Sequence, residues 1–480
     1  MKYILLIIIS FFSVFFLFAQ NTEHLNCYTI VVGKNASSDG SVLIGHNEDD
    51  TGDMLINWFK IPKRKFKTGD SLTLYNGKKI KQASEALSVI RFQVTGEQFG
   101  DTYLNENSVI ICSNACKSKE DTAKGSIAYD FRRIIAEQAK NAQDAVNIAG
   151  KLIEEFGYES SGRTYTIADK NEAWMLSVVK GKRWVAQRIP DDQAAIIPNY
   201  FTIQEVNLND TFNFCSSDDL ITYAQSRMWY DTLKIFNFRE VYGDAENNGS
   251  AVNIYRHISG INKLSKQKYT DNDNLPFSFY PEKPVSVDVI KTILSDHFEG
   301  TVYNDSGSDV NPHNNKIRPI CDKSTQYSLI AQLRSELPLE IGSLIWISPY
   351  NSCLFPYIPI YWNIYNTPDN FRLDNYNDAE QIHFNSEKNS LSGYPNHIYG
   401  LFKSYVNYIE ADYVNRSRDA VNFKLKIEDE LNRNQKKLEN SVLKIYYSYP
   451  DDTKKILTQY FNQYNQRLSE HIKHTLKQNK

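Results

Sequence analysis

Two periodicities divide the chain. Tyr28 to Val32 and Ser41 to Gly45 read as short apolar strands, joined into a hairpin by the turn Ser37-Ser38-Asp39-Gly40. Residues just past the second strand, Asp49 among them, then come back beside Cys27. The run Val109 to Cys112 reads as a buried strand that opens into a loop at Asn114. Within 127–140, apolar positions at Phe131, Ile134, Ile135 and Ala139 follow helical spacing, and Ala145, Val146, Ala149, Leu152 and Ile153 repeat it, so two amphipathic helices are expected. Alternation returns at Thr164 to Ala168 and Ala173 to Ser177, which flank the polar turn Asp169-Lys170-Asn171-Glu172 as a second hairpin, and Trp184 to Gln187 extends that sheet. Ala194 to Ile197 is another short strand, with Asn199 just past its end.

The segment 237–274, rich in Asn, Asp and Gly, reads as loops around one element, Val252 to Ile258, which carries Arg256. Near the C-terminus Ile427, Leu431, Leu438, Val442 and Ile445 recur at helical spacing before Pro450. Asp451-Asp452 can cap a further helix bearing Ile456, Tyr460, Tyr464, Leu468 and Ile472. No strict heptad persists, which favours a helical hairpin packed on the body of the protein over a partner-binding coiled coil.

The first residues change the compartment. Met1-Lys2 precedes an almost unbroken apolar run from Tyr3 to Phe18 and then Ala19-Gln20, the pattern of a secretory signal peptide. The run is shorter than a comfortable membrane span and polar residues follow at once, so no stable membrane insertion is expected after its removal. Residues 1–19 are read as the signal, 20–26 as a short propeptide, 27–410 as the main domain and 411–480 as a helical extension packed on it. The destination is periplasmic or extracellular.

With 480 residues and 41% hydrophobic content the chain can bury a full core. A formal net charge of −3 and the lack of a basic run argue against nucleic acid as a partner. There are six cysteines, so if Cys27 stays free an odd number remains and a fully disulfide-stapled framework is not expected. Cys112 and Cys116 are read as small buried packing residues.

The candidate chemistry centres on Cys27. Cleavage before it would give one residue both a thiol and a free α-amine, nucleophile and general base together. An α-amine titrates near ~8 and a thiol near ~8.5, so a proton passes between them at little cost. A cysteine soon after a signal can instead be lipidated, but His24-Leu25-Asn26 are not the small, apolar approach that lipidation needs. The sequence contains no His-Glu-x-x-His, no Cys-x-x-Cys, no phosphate loop and no Gly-x-Ser-x-Gly elbow, so neither a cofactor nor a metal is expected. His46 is read as a hydrogen-bonded structural residue.

The run Cys27-x-x-x-x-Val32-Gly33-Lys34-x-Ala36-x-x-Asp39-Gly40-Ser41, followed by Asn47-x-Asp49, resembles the cysteine dipeptidases of the dipeptidase A type. These are N-terminal-nucleophile hydrolases, distantly related to bile-salt hydrolases and penicillin V acylases. The runs Ala168 to Trp174, Trp184 to Arg188, Pro190 to Asp192, Cys321 to Gln326, Gln332 to Arg334 and Gly342 to Ser348 continue the resemblance, which spans roughly 27–363.

The resemblance implies an α+β fold, the four-layer αββα sandwich, and a secreted dipeptidase that works through an acyl-enzyme on Cys27. It also implies site residues: Cys27 as nucleophile, Asp49 orienting its α-amine, Asn114 and Asn199 as oxyanion donors, and Arg256 as a second charge near the nucleophile. The wider group commonly carries an arginine where this chain has His46, which leaves open what supplies positive charge to the thiol. An N-acyl amide hydrolase of the bile-salt or penicillin type, and a non-catalytic exported binding module or lipoprotein, are the alternatives.

Overall fold

Alternation in the first hairpin sets the architecture. The computed structural model describes residues 27–50, 54–67, 69–304, 310–385, 388 and 390–478; the signal and propeptide expectations fall outside them. β1 (Tyr28–Val32) and β2 (Val42–Asp49) are buried at every position, because both faces are covered. Thr29 on one face of β1 reaches a second sheet, where its hydroxyl donates to Asn114 Oδ1 at 2.6 Å. Tyr28 on the other face meets a helix, its hydroxyl donating to Arg256 O at 3.2 Å.

Besides two small two-stranded ribbons within 64–86, the other strands are β3 (Ile56–Ile61), β4 (Val89–Val94), β5 (Thr102–Asn105), β6 (Ile110–Ala115), β7 (Tyr158–Ala168), β8 (Ala173–Gly181), β9 (Trp184–Ile189), β10 (Ala194–Ile197), β11 (Phe214–Ser216), β12 (Thr325–Leu333), β13 (Ser343–Pro349) and β14 (Ile358–Tyr361). With β1 and β2, these form a six-stranded sheet in the order β10-β1-β2-β12-β13-β14 and an eight-stranded sheet in the order β11-β9-β8-β7-β6-β5-β4-β3, with antiparallel neighbours throughout. Both hairpins read from sequence are present, with Val31 opposite Ile44 and Thr164 opposite Ser177.

Helices cover the outer faces. α1 (Asp130–Ala136) and α2 (Ala142–Phe156) bury Phe131, Ile135, Val146 and Ile153 against Tyr165, Ile167, Trp174 and Leu176 of the eight-stranded sheet. α3 (Ala251–Leu264) and α4 (Val287–Leu294) lie on the six-stranded sheet. They come very close: a Cβ at Gly45 of β2 would sit 2.4 Å from Ile290 Cγ2, and one at Gly260 of α3 would sit 2.0 Å from the Tyr28 hydroxyl oxygen. The layers are therefore helix, sheet, sheet, helix, the αββα arrangement that the resemblance implied.

The C-terminal helices α5 (Ile398–Glu410), α6 (Tyr413–Ile445) and α7 (Pro450–Gln478) pack beside β14 and join the same core through Ile427, Leu431, Phe461 and Leu468. Buried polar contacts fix α6: Glu439 takes both Arg334 guanidinium nitrogens at 2.8 Å, and Glu428 accepts from the Tyr357 backbone N–H at 3.0 Å. Among the described residues no helix is long and apolar enough to cross a membrane.

One sequence expectation needs correction. The segment read as loops around one element holds two further short helices, Phe238–Tyr242 and Ala245–Asn248, besides the longer α3. Two of the Asn and Asp residues that suggested loops are caps, Asn237 accepting from Glu240 N and Asp244 from Asn247 N, while 265–274 is loop as expected. No ligand spacing is legible along the chain, yet folding brings His297, His313, Cys321 and Cys353 together, with donor atoms all within 4.8 Å of one another. All six cysteines are free, with Cys112 and Cys116 buried as packing residues.

Candidate active site

Strand register delivers the polar groups to Cys27. Continuing the β1–β2 pairing past Tyr28 opposite Asn47 sets Cys27 against Glu48, and continuing the β1–β10 pairing past Thr29 opposite Ile197 sets Cys27 against Asn199. Cys27 is 4% exposed. Its thiol donates to Glu48 Oε1 at 3.3 Å. The other Glu48 oxygen lies 3.0 Å from His46 Nε2, and His46 Nδ1 lies 2.7 Å from the Thr29 hydroxyl. Thr29 in turn donates to Asn114 Oδ1, and Asn114 Nδ2 donates to Ile197 O at 3.1 Å. A continuous polar chain thus runs from the thiol across the gap between the sheets.

A second set of contacts comes from α3. Arg256 donates to the Cys27 carbonyl at 3.4 Å, to Asn199 Oδ1 at 2.8 Å and to Asn253 Oδ1 at 3.0 Å. Asn199 Nδ2 donates to Ala115 O at 3.2 Å, while Asn253 Nδ2 donates to Asn199 O at 3.2 Å. Each amide nitrogen has two protons, so Asn114 and Asn199 each keep one donor beyond the bond to a carbonyl. Asp49, the last residue of β2, turns its carboxylate to the Thr325 hydroxyl at 2.6 Å and to Arg318 at 3.2 Å.

Burial dominates the electrostatics. It pushes the Cys27 thiol well above its ordinary range, and the Glu48 and Asp49 carboxylates push the same way; the Asp49 backbone N–H and the Arg163 guanidinium oppose them. Burial also raises Glu48, against Arg132, the Cys27 thiol and Arg163. Asp49 is raised to about 6 by burial, with Arg318 and Thr325 opposing. Burial and the charge of Arg318 lower Arg256 to about 9.

The five residues chosen from sequence, Cys27, Asp49, Asn114, Asn199 and Arg256, therefore gather at one end of the six-stranded sheet. Sequence reasoning missed Glu48, although it stands two positions from His46 on a strand and so shares its face. It also missed Asn253, one helical turn before Arg256. Arg132, Arg163 and Arg318 arrive from distant elements and left no local signal. The first two converge on Ser113 Oγ, at 3.2 and 3.4 Å, beside the thiol–carboxylate pair. Arg163 favours the ionised form of the thiol, and both arginines favour that of Glu48.

Comparison with known proteins gives this geometry a family context. The model described as "Peptidase family C69" matches residues 26–392. A probable dipeptidase from Latilactobacillus sakei is 26% identical over 373 residues, 72% of this chain and 76% of that protein. Dipeptidase A from Lactobacillus helveticus is 25% identical over 374 residues, 72% of this chain and 77% of that protein. Among solved structures, penicillin V acylase from Agrobacterium tumefaciens matches 70% of this chain and 86% of its own, at 13% identity and a TM-score of 0.35.

Proposed function

The chain belongs to peptidase family C69, and on that premise we propose that it is an exported dipeptidase whose nucleophile is Cys27, made N-terminal by removal of residues 1–26. The observation that carries this reading is at His46. Both of its ring nitrogens are engaged, by Thr29 and by Glu48, so the hydrogen-bond partner of the thiol is a carboxylate and not an imidazole. In the processed enzyme the base is then the α-amine of Cys27 itself.

In the reaction, the Cys27 sulfur attacks the scissile carbonyl carbon and its proton passes to the α-amine. The developing oxyanion is held by side-chain amide donors, Asn199 set against Cys27 by register and Asn114 reached through Thr29; one such donor is commonly worth ~3 kcal/mol. The ammonium returns its proton to the leaving amine as the C–N bond breaks. Water, deprotonated by the same amine, then hydrolyses the thioester and frees the acyl half. Arg256 holds the Cys27 carbonyl and Asn199 in fixed relation throughout.

Maturation needs a different base, since before cleavage the Cys27 nitrogen is an amide. Glu48, in contact with the thiol, fills that role. It accepts the thiol proton as the sulfur attacks the Asn26 carbonyl, the Asn26–Cys27 C–N bond breaks with the nitrogen protonated to an amine, and water hydrolyses the thioester.

Substrate profiling tests the assignment. Processed protein is expected to hydrolyse a panel of dipeptides and to lose this activity on thiol alkylation. Turnover of N-acyl amino acids with none of dipeptides would instead assign the acylase alternative.

A further inference from the structure

Away from Cys27, four connections converge on one buried point. His297 follows α4, His313 lies in the turn Pro312–Asn314, Cys321 precedes β12 and Cys353 follows β13. All four are less than a tenth exposed. His313 Nε2 lies 3.2 Å from His297 Nε2, 3.4 Å from Cys353 Sγ and 4.0 Å from Cys321 Sγ. A tetrahedral zinc ion, with bonds of about 2.0 Å to nitrogen and 2.3 Å to sulfur, sets its ligands roughly 3.3 to 3.8 Å apart. The spacing of the cluster is that of a ligand cage.

The second ring nitrogens make the case stronger. His297 Nδ1 faces Glu299 Oε1 at 2.7 Å, and His313 Nδ1 faces Glu410 Oε1 at 2.7 Å. A carboxylate on one nitrogen fixes the proton there and turns the lone pair of the other outward, the arrangement that metal-bound histidines use. The two free nitrogens then lie 3.2 Å apart, and a cation bound by both relieves the repulsion between two acceptors so placed. Both cysteines are free thiols. Thiolate with imidazole in equal number suits zinc, whereas calcium and magnesium call for oxygen ligands.

We propose that His297, His313, Cys321 and Cys353 bind one zinc ion in a closed, four-coordinate structural site. His297 and Cys353 also line a surface cavity of about 710 Å³, bordered by Lys291, Lys424 and Glu428, which provides a route of entry. The site would hold the segment that serves Asp49. Ile320 O, next to Cys321, accepts from Asn47 Nδ2 at 2.9 Å, and Arg318 pairs with Asp49. Through Glu410 the same ion ties the end of α5 to that segment. This inference does not depend on the dipeptidase assignment.

The exported, processed protein, purified and dialysed, is expected to retain one zinc per chain by elemental mass spectrometry. Cys27→Ala should keep that zinc, which separates this site from the Cys27–His46–Glu48 group. Reconstitution with Co(II) should give thiolate-to-cobalt charge-transfer and tetrahedral d–d bands that Cys353→Ser loses. X-ray absorption on the zinc form of the unmutated protein should resolve two sulfur and two nitrogen neighbours, a readout that needs no folded variant. Absence of stoichiometric zinc, a Cys321–Cys353 disulfide in the exported protein, a shell of only nitrogen and oxygen, or cobalt bands that persist in a folded Cys353→Ser would each overturn the assignment.

Discussion

The thiol of Cys27 lies 3.3 Å from a carboxylate oxygen of Glu48, and burial raises the proton affinity of both groups. A buried acid whose affinity for protons is raised toward neutrality makes a better proton acceptor than an ordinary exposed one. Glu48→Gln should therefore slow removal of the propeptide by on the order of a hundredfold or more. Once the α-amine is free, peptide hydrolysis by the processed fraction should change far less. A mass-spectrometric time course of processing reads both. Processing of Glu48→Gln at the parent rate would remove Glu48 from maturation.

Arg163 is the cation that favours the Cys27 thiolate, and it also acts on Glu48. Replacing it with the uncharged chain of Met should raise the pKa of the thiol, because the anionic form loses the attraction of that cation. The acid limb of the kcat/KM profile against pH should move to higher pH in Arg163→Met. An unmoved limb, with normal thermal unfolding, would leave Arg163 with a packing role only.

Asn199 accepts from Arg256 and donates to Ala115 O. Asn199→Ala should lower kcat by on the order of a hundredfold with little rise in KM, since an oxyanion donor acts mainly in the transition state. It should also cost about 1 to 3 kcal/mol of stability by leaving buried partners unmatched. Loss of stability with full turnover would make Asn199 a brace for Arg256 alone.

Asp49 gives a pH signature. Its carboxyl is raised from 3.8 to about 6 by burial, so the folded state binds its proton more tightly than the unfolded chain does. The stability this contributes is full below about 4 and is lost as pH rises through about 6, a swing of roughly 3 kcal/mol. Asp49→Asn lacks the proton, so the parent should lose stability relative to it between pH 4 and 7. In its proposed role of holding the α-amine by charge, Asp49 acts only when ionised, so catalysis in the variant should fall relative to the parent above about pH 6, with a smaller difference below it. Parallel stability curves for the two proteins would show that Asp49 titrates normally.

Local pattern made much of the fold legible. The hairpin around Asp39-Gly40, the hairpin around Asp169 to Glu172, helix α2 and the two long C-terminal helices all follow from periodicity and turn chemistry, because each is stabilised by neighbours close in sequence. Asn114 and Asn199 could be placed near strand ends for the same reason, although Asn114 lies inside β6, one residue before its end. What sequence did not yield depends on register between distant segments. Glu48 meets Cys27 only because β2 pairs with β1 in one register, and Arg318 reaches Asp49 across 269 residues. The His297, His313, Cys321 and Cys353 cluster draws on four separate connections, so no motif scan along the chain could have found it.

The position at which the active protein begins decides whether one residue serves as both nucleophile and base. Intact-mass measurement of the active, exported protein, with N-terminal sequencing, reads that position directly. A chain starting at Cys27 is the expected result, with Cys27→Ala retaining residues 20–26 and showing no dipeptide hydrolysis. Full activity in protein that still begins at Gln20, its Cys27 nitrogen held in a peptide bond, would contradict the mechanism.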